Sequence, residues 1–378
     1  MVAAMDGSVE GSRFSRLLGF LEEDPDNLRL IADAASAAME EGDPGGALAL
    51  LERHASLAPL PPTQLNLKGI AALADRRFEQ AVAALTALRE AGEDAPAIRF
   101  NLAWALTMAG GHEAALALLD DEVVAAGPRG ASLKVGLLHH LGRPEDALEA
   151  GIALAEVYPA DQSLMGALAL AAMDADRADL ARLYAGRAGT NHDGQTTLGL
   201  LLLDDGRTGE SETIFDRVLA GDAGNARALL GKGLALLDRG DPASAGAWID
   251  RAAERFGDHL GSWVAAGWVH YIRGDLETSR ARLETALALD DSFAETHGGL
   301  AVLDLAQGDV EGARRRADIA LRLDRNCFAG ALAKSLLLER DGKEKAARKV
   351  REAALNFPIG AGGRTIAAAL GSRRAEAD

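Results

Sequence analysis

A small residue recurs along this chain at a near-constant interval, and that recurrence limits the fold more than any other feature. It stands at Ala47, Ala81, Ala115, Ala147, Ala181, Ser211, Ala245, Ser279, Ala313 and Ala347, with successive spacings of 34, 34, 32, 34, 30, 34, 34, 34 and 34 residues. Twelve residues before each stands Ala35, Gly69, Ala103, Val135, Ala169, Gly199, Gly233, Gly267, Ala301 or Ser335, and nine of these ten are Gly, Ala or Ser. Self-similarity at a fixed period of this order marks an array in which each unit packs only on its neighbours. Where two helices cross, a small residue on each lets the backbones approach.

Turn signals keep the same phase. Gly followed by Asp or Pro, as in the stretches 40–46, 238–242 and 307–312, ends one helix and starts the next. The clearest unit is Leu260–Asp291. Its first half places Trp263, Ala266, Gly267 and His270 on one helical face, its second places Ser279, Leu283 and Ala286 on another, and Gly274-Asp275 divides them. In this spacing of Trp, Gly and a small second-helix residue the unit resembles a tetratricopeptide repeat.

The expectation is therefore an all-α, right-handed superhelical α-solenoid of about ten helix–turn–helix repeats. Its parts are a tail and capping helix over 1–27, repeats over 28–188, repeats over 189–358, and a capping helix and tail over 359–378. Segment 12–27 is in phase with a second helix, with Leu17 and Phe20 at core positions, and Thr365–Leu370 reads as the terminal helix. The short spacings fall around Val123–Gly130 and 186–194, and the second of these is where a kink between the two sets of repeats is expected.

Composition excludes several classes. Aromatics are scarce while Ala, Leu and Gly abound, which suits close helix packing better than a β-rich fold. Net charge is −17, a poor match for nucleic acid or an anionic membrane. Residues 301–378 carry 15 Lys and Arg against 11 Asp and Glu, a local excess of cations that is either a solvated basic face or a docking patch for an acidic partner. A single cysteine, Cys327, fits a reducing compartment. With no signal-like N-terminus and no apolar run long enough to span a bilayer, a cytoplasmic protein without membrane insertion is expected.

No motif points to catalysis. Segment 360–365 lacks the first Gly and the Lys of a phosphate loop, and no strand precedes it. His139 and His140 are adjacent, so they diverge on a helix and complete no metal face. Cys327 is expected as a small packing residue. No enzyme activity, cofactor or metal is expected.

The resemblance implies where a partner would sit. In tetratricopeptide proteins first helices line a concave face, and peptides are held there through repeat positions 2, 5, 6, 9, 12 and 13. Carried onto this chain, the candidate groove residues are Ile70, Phe100, Asn101, Trp104, Leu200, Leu234, Val264, Trp268, Tyr271, Gly298 and Val302. Asn101 fits the family's carboxylate clamp, but the basic residues that complete it are missing, so a chaperone tail is not the expected ligand. Two accounts of the apolar wall stand open: first helices packing on one another, or a groove for an apolar or amphipathic partner segment with Trp104, Trp268 and Tyr271 as anchors. The functional expectation is a protein-binding adaptor, scaffold or dedicated chaperone. The alternative is an accessory subunit of an enzyme or secretion assembly, docking through a convex or C-terminal basic face that includes Arg314, Arg315 and Arg316. Partner identity and oligomeric state stay open.

Overall fold

A chain built from Gly-Asp turns and short amphipathic stretches should fold as helix pairs, and it does. The computed structural model describes residues 12–356 and the two pairs 358–359 and 364–365. The chain divides into two compact units, Met1–Leu164 and Met165–Asp378. The boundary lies inside a helix of the fifth repeat, upstream of the 186–194 stretch where the sequence suggests a kink.

In the first unit, α1 (Arg13–Glu23) precedes four helix pairs. These are α2 (Leu28–Glu40) with α3 (Pro44–Leu57), α4 (Pro62–Ala74) with α5 (Phe78–Glu90), α6 (Pro96–Met108) with the pieces α7 (His112–Ala117) and α8 (Asp121–Ala125), and α9 (Pro128–His140) with α10 (Pro144–Val157). Helix α11 (Gln162–Asp174) begins in this unit and continues into the second.

In the second unit α11 is followed by α12 (Ala178–Arg187), and five pairs come after it: α13 (His192–Asp204) with α14 (Thr208–Gly221), α15 (Ala226–Asp238) with α16 (Pro242–Phe256), α17 (Leu260–Ile272) with α18 (Leu276–Leu289), α19 (Ala294–Gln307) with α20 (Val310–Leu323), and α21 (Phe328–Arg340) with α22 (Glu344–Leu355). A two-residue antiparallel pairing then joins β1 (Pro358–Ile359) to β2 (Arg364–Thr365). Thr365, expected to open a terminal helix, is therefore in a strand. The rest of that expected helix lies outside the described residues.

The turn chemistry is local and repeats. Gly274 has φ +78°, and the side chain of Asp275 then accepts a hydrogen bond from Thr278 N, capping α18. Asp43, Asp241 and Asp309 cap α3, α16 and α20 in the same way. Where glycine is lacking, Arg76 and Asp176 take the left-handed conformation at φ 59° and 55°, which costs about 1–2 kcal/mol each.

The regular phase of small residues has a specific cause. A methyl on Gly69 would stand 2.6 Å from Leu85 Cδ2, one on Gly267 2.6 Å from Leu283 Cγ, and one on Gly199 2.6 Å from Phe215 Cε1. In each pair the branched or aromatic residue of the second helix lies flat on the first helix's backbone, and only a small residue leaves room. The two serine anchors add a bond: Ser211 Oγ and Ser279 Oγ each donate to the carbonyl of the partner glycine, Gly199 and Gly267, at 2.8 Å. A buried hydroxyl with its partner in place is worth about 0.5–1.5 kcal/mol.

Two further departures from the repeat pattern appear. In α1 the buried face is Phe14, Leu17 and Leu21, so Phe20 points outward at 58 % exposure. The second helix of the third repeat is not continuous. It breaks after Ala117 and restarts at Asp120, whose carboxylate caps α8 by accepting from Val123 N. The 32-residue spacing records that break.

Candidate partner-binding surfaces

Position 9 of each first helix lies beside the small contact residue, turned away from the second helix. In the first unit this row reads Ser36, Ile70, Trp104 and Gly136 on α2, α4, α6 and α9. Ile70 is 37 % and Trp104 43 % exposed, and Met108, one turn beyond Trp104, is exposed as well. Helices α4 and α6 are in contact, so these side chains share one face. A methyl on Gly136 would meet nothing, so the flank of Trp104 toward α9 is open.

The broken helix adds a cavity to this face. A space of about 420 Å³ lies between Pro96, Ala97, Phe100 and Asn101 of α6 and the stretch from Val123 to Gly130. Its lining is largely apolar, with Asn101 and Arg129 supplying polar groups. The walls are fixed from below. Gly130 packs so closely on α8 that a methyl there would lie 2.7 Å from the Val123 carbonyl oxygen. Arg99, largely buried, bonds Asp94 at 3.2 Å and Glu122 at 2.6 Å and lies 3.4 Å from Asp120, tying α6 to α8. The hydrogen bond to Glu122 leads in pushing the Arg99 guanidinium above its ordinary range. Sequence reasoning found Phe100 and Asn101 but missed Met108, Val123 and Arg129. The 32-residue spacing signalled Val123 and Arg129, and repeat position 13 signalled Met108.

In the second unit the equivalent row of position-9 side chains is more covered. Helix α19 is buried on every side from Thr296 to Asp304. A methyl on Gly298 would lie 2.6 Å from the Ala329 carbonyl carbon, so the backbones of α19 and α21 touch. Val264, Gly298 and Val302, expected to line a groove, are buried instead. Trp268 and Tyr271 are half-buried and meet edge to face at 5.6 Å, Trp268 packing on the cluster that holds Ala294 and Ala329. Leu200 rests on the Phe215 cluster, and Leu234 is half-buried. Across this wall Arg227 Nη2 reaches Asp174 Oδ2 at 2.8 Å. Trp263 sits in the core as expected, its indole nitrogen donating to the Gly257 carbonyl at 2.8 Å.

The polar groups of the second unit form cross-helix ties. Lys232 Nζ lies 3.0 Å from Glu212 and 2.9 Å from Asp216, and Arg239 lies 2.8 Å from Glu212. Buried Asp304 lies between Arg280 at 2.6 Å and Arg316 at 3.1 Å. Two guanidiniums offset the cost of removing that carboxylate from water. Cys327 is buried and caps α21 through Sγ, which accepts from Gly330 N at 3.2 Å. Among the described residues no group of three His, Cys, Asp or Glu side chains is placed to hold a metal ion. No helix among them is long and apolar enough to cross a membrane.

Comparison with known proteins agrees with this geometry. Family models described as tetratricopeptide repeat match residues 66–131, 196–259 and 294–318. No curated protein matches the chain by sequence. Among solved structures it is similar to Cut9 in the APC/C hetero-tetramer Cut9-Hcn1, with TM-score 0.55 and 14% identity over 90% of this chain and 77% of that one. It is also similar to the human IFIT1 dimer with m7Gppp-AAAA, with TM-score 0.52 and 13% identity over 91% and 93% of the two chains. At such identities these likenesses bear on the fold alone. Paired helices, a small residue at each crossing and matching family models together identify an all-α solenoid of tetratricopeptide repeats.

Proposed function

We propose that the chain is a non-enzymatic, cytoplasmic binding module, an adaptor, scaffold or dedicated chaperone. It holds an apolar or amphipathic segment of a protein partner against the inner face of its first unit. The observation that supports this is the exposure of Trp104 beside Ile70 and Met108; at the repeat position shared by Ile70 and Trp104 the second unit has buried Leu170 and Val302 and half-buried Leu200, Leu234, Trp268 and Leu336. A folded chain leaves a large aromatic half in water at a cost that a partner's apolar surface removes, and tryptophans in such settings dominate binding energy. The cavity beside Phe100 and Asn101 supports the same assignment, since it accepts one aliphatic side chain and offers a carboxamide to a peptide backbone.

The test is quantitative mass spectrometry of proteins retained by the wild type and by Trp104→Asp. The partner should be present with the first and lost with the second, while helical circular dichroism is unchanged. Equal retention by both would remove this face from consideration. Trp268→Asp is no substitute, because it places a carboxylate among packed helices and disturbs the fold. The capped oligonucleotide named with human IFIT1 belongs to that protein. Single-stranded RNA as competitor checks the same question here, and a chain of net charge −17 should ignore it.

A further inference from the structure

The three consecutive arginines of α20 have different fates. Arg314 is tied to Asp341 at 3.2 Å and Arg316 to buried Asp304 at 3.1 Å. Arg315 is exposed and, among the described residues, has no ion pair. Arg322 is also exposed, and its Nε donates only to the backbone carbonyl of Asp318 at 3.2 Å. The carboxylate of Asp318 is taken by Lys334 at 2.8 Å. The cationic character of this region therefore resides on α20 in Arg315 and Arg322.

These two lie on one helical face, two turns or about 10 Å apart, with half-buried Ile319 between them. The surface there is concave. A space of about 460 Å³ is lined by Arg315, Asp318, Ile319 and Arg322. A second, of about 510 Å³, shares Arg315 and Ile319 and extends over Arg280 and Asp304. Of the carboxylates on these two spaces, Asp304 and Asp318 are ion-paired, and exposed Asp309, which lines only the larger one, caps α20 by accepting from Gly312 N at 2.8 Å. Along the smaller space, which Asp309 does not line, the side chains without an ionic partner read cation, aliphatic, cation.

We infer that this furrow docks an acidic amphipathic helix of a partner protein. Two of its carboxylates, two turns apart, would meet Arg315 and Arg322, and an aliphatic side chain three or four residues after the first would cover Ile319. The site is separate from the inner face of the first unit. Charge complementarity selects the partner's sign, and Ile319 selects polypeptide over nucleic acid. A phosphate backbone presents no aliphatic group to that position, and two guanidiniums without a carboxylate partner are few for a polyanion approaching a chain of net charge −17.

The probe is a fluorescein-labelled helical peptide with Glu at i and i+7 and Leu at i+3 and i+4, measured by fluorescence anisotropy. The full-length protein should bind it saturably. Arg315→Glu combined with Arg322→Glu should weaken binding about tenfold at low ionic strength, with the difference shrinking as salt is raised past ~0.1 M. Ile319→Asp, or a peptide with Gln for both Leu, should weaken it about fivefold. Trp104→Asp should leave it unchanged, which separates this site from the proposed inner-face function. Absence of saturable peptide binding overturns the inference, as does binding indifferent to the arginine reversals. Displacement by single-stranded RNA that depends on the arginines but not on Ile319 overturns it in favour of a nucleic-acid surface.

Discussion

Close packing of two glycines on one ring in the second unit makes a quantitative prediction about Phe215. Its side chain is fully buried, and its ring lies between the backbones of α13 and α15. A methyl on Gly199 would stand 2.6 Å, and one on Gly231 2.5 Å, from Phe215 Cε1, both well inside any tolerated carbon contact. Gly231→Ala gains about 0.8–1 kcal/mol of helix propensity. Overpacking against a ring that cannot move costs about 1–3 kcal/mol, so the net effect is destabilisation of about 1–2 kcal/mol. Phe215→Ala alone costs about 3–5 kcal/mol, the transfer loss plus the cavity left behind.

In the Phe215→Ala background the sign of the Gly231→Ala effect reverses. The clash is gone, the methyl enters the cavity, and the propensity gain is expressed, so the second substitution stabilises by about 1 kcal/mol. The double-mutant cycle should therefore show a coupling of about 2–3 kcal/mol. The assay is hydrogen exchange of the α13–α15 amides, which reports opening of this stretch even if the array does not unfold in one step. Urea midpoints from circular dichroism accompany it. If Gly231→Ala stabilises the wild type, or the coupling is below about 0.5 kcal/mol, contact distance is not what keeps this position small.

Other perturbations follow from the same structure. About 100 Å² of Trp104 remains to be covered by a partner, so Trp104→Ala should weaken the inner-face complex by about 2.5 kcal/mol, or about seventyfold; a loss under about threefold would place the contact elsewhere. Burial, with the Glu295 carboxylate, pushes the Cys327 thiol from 9.0 up to about 12. Native protein at pH 8 should therefore resist iodoacetamide on the timescale of unfolding, and alkylation at the rate of a free thiol would contradict the burial. Because the folded value is the higher one, the thiol's contribution is whole below pH 9.0 and is lost toward about 12, and Cys327→Ser should show no such loss. Glu212 is pushed up by burial, but hydrogen bonds from Arg239 and Lys232 outweigh this and hold it below its ordinary 4.5. Glu212→Gln should lower the urea midpoint at pH 7. The gap to wild type should close as pH falls below 4.5, since a depressed carboxylate stabilises only while ionised, and a gap that persists in acid would mean lost packing.

The repeat architecture was legible because its signals are local. Gly274-Asp275 stops one helix and caps the next within four residues, and Gly267 and Leu283 meet inside a single helix pair. Each unit states its own fold in some thirty residues, and ten statements in phase agree. The orphan α1 shows the limit, since the phase placed Phe20 inside while the one-sided packing of an end helix turned Leu21 to the core. The 32-residue spacing likewise flagged the third repeat as irregular without revealing that α8 would restart at Asp120 and leave a cavity beside Phe100.

Which side chains stay exposed lay beyond that reach. Trp104 and Val302 hold the same position in their repeats, yet one is 43 % exposed and the other 2 %. The difference arises between repeats: α19 and α21 approach until Gly298 touches the backbone at Ala329, while α6 and α9 leave the flank of Trp104 open. Arg315 differs from Arg314 and Arg316 for a similar reason, because its neighbours find carboxylates on α21 or its following turn and on α19. Pairing within a repeat follows from residues close in the chain, and the sequence alone determines it. Exposure depends on the distance between successive first helices, and only the tertiary structure decides that.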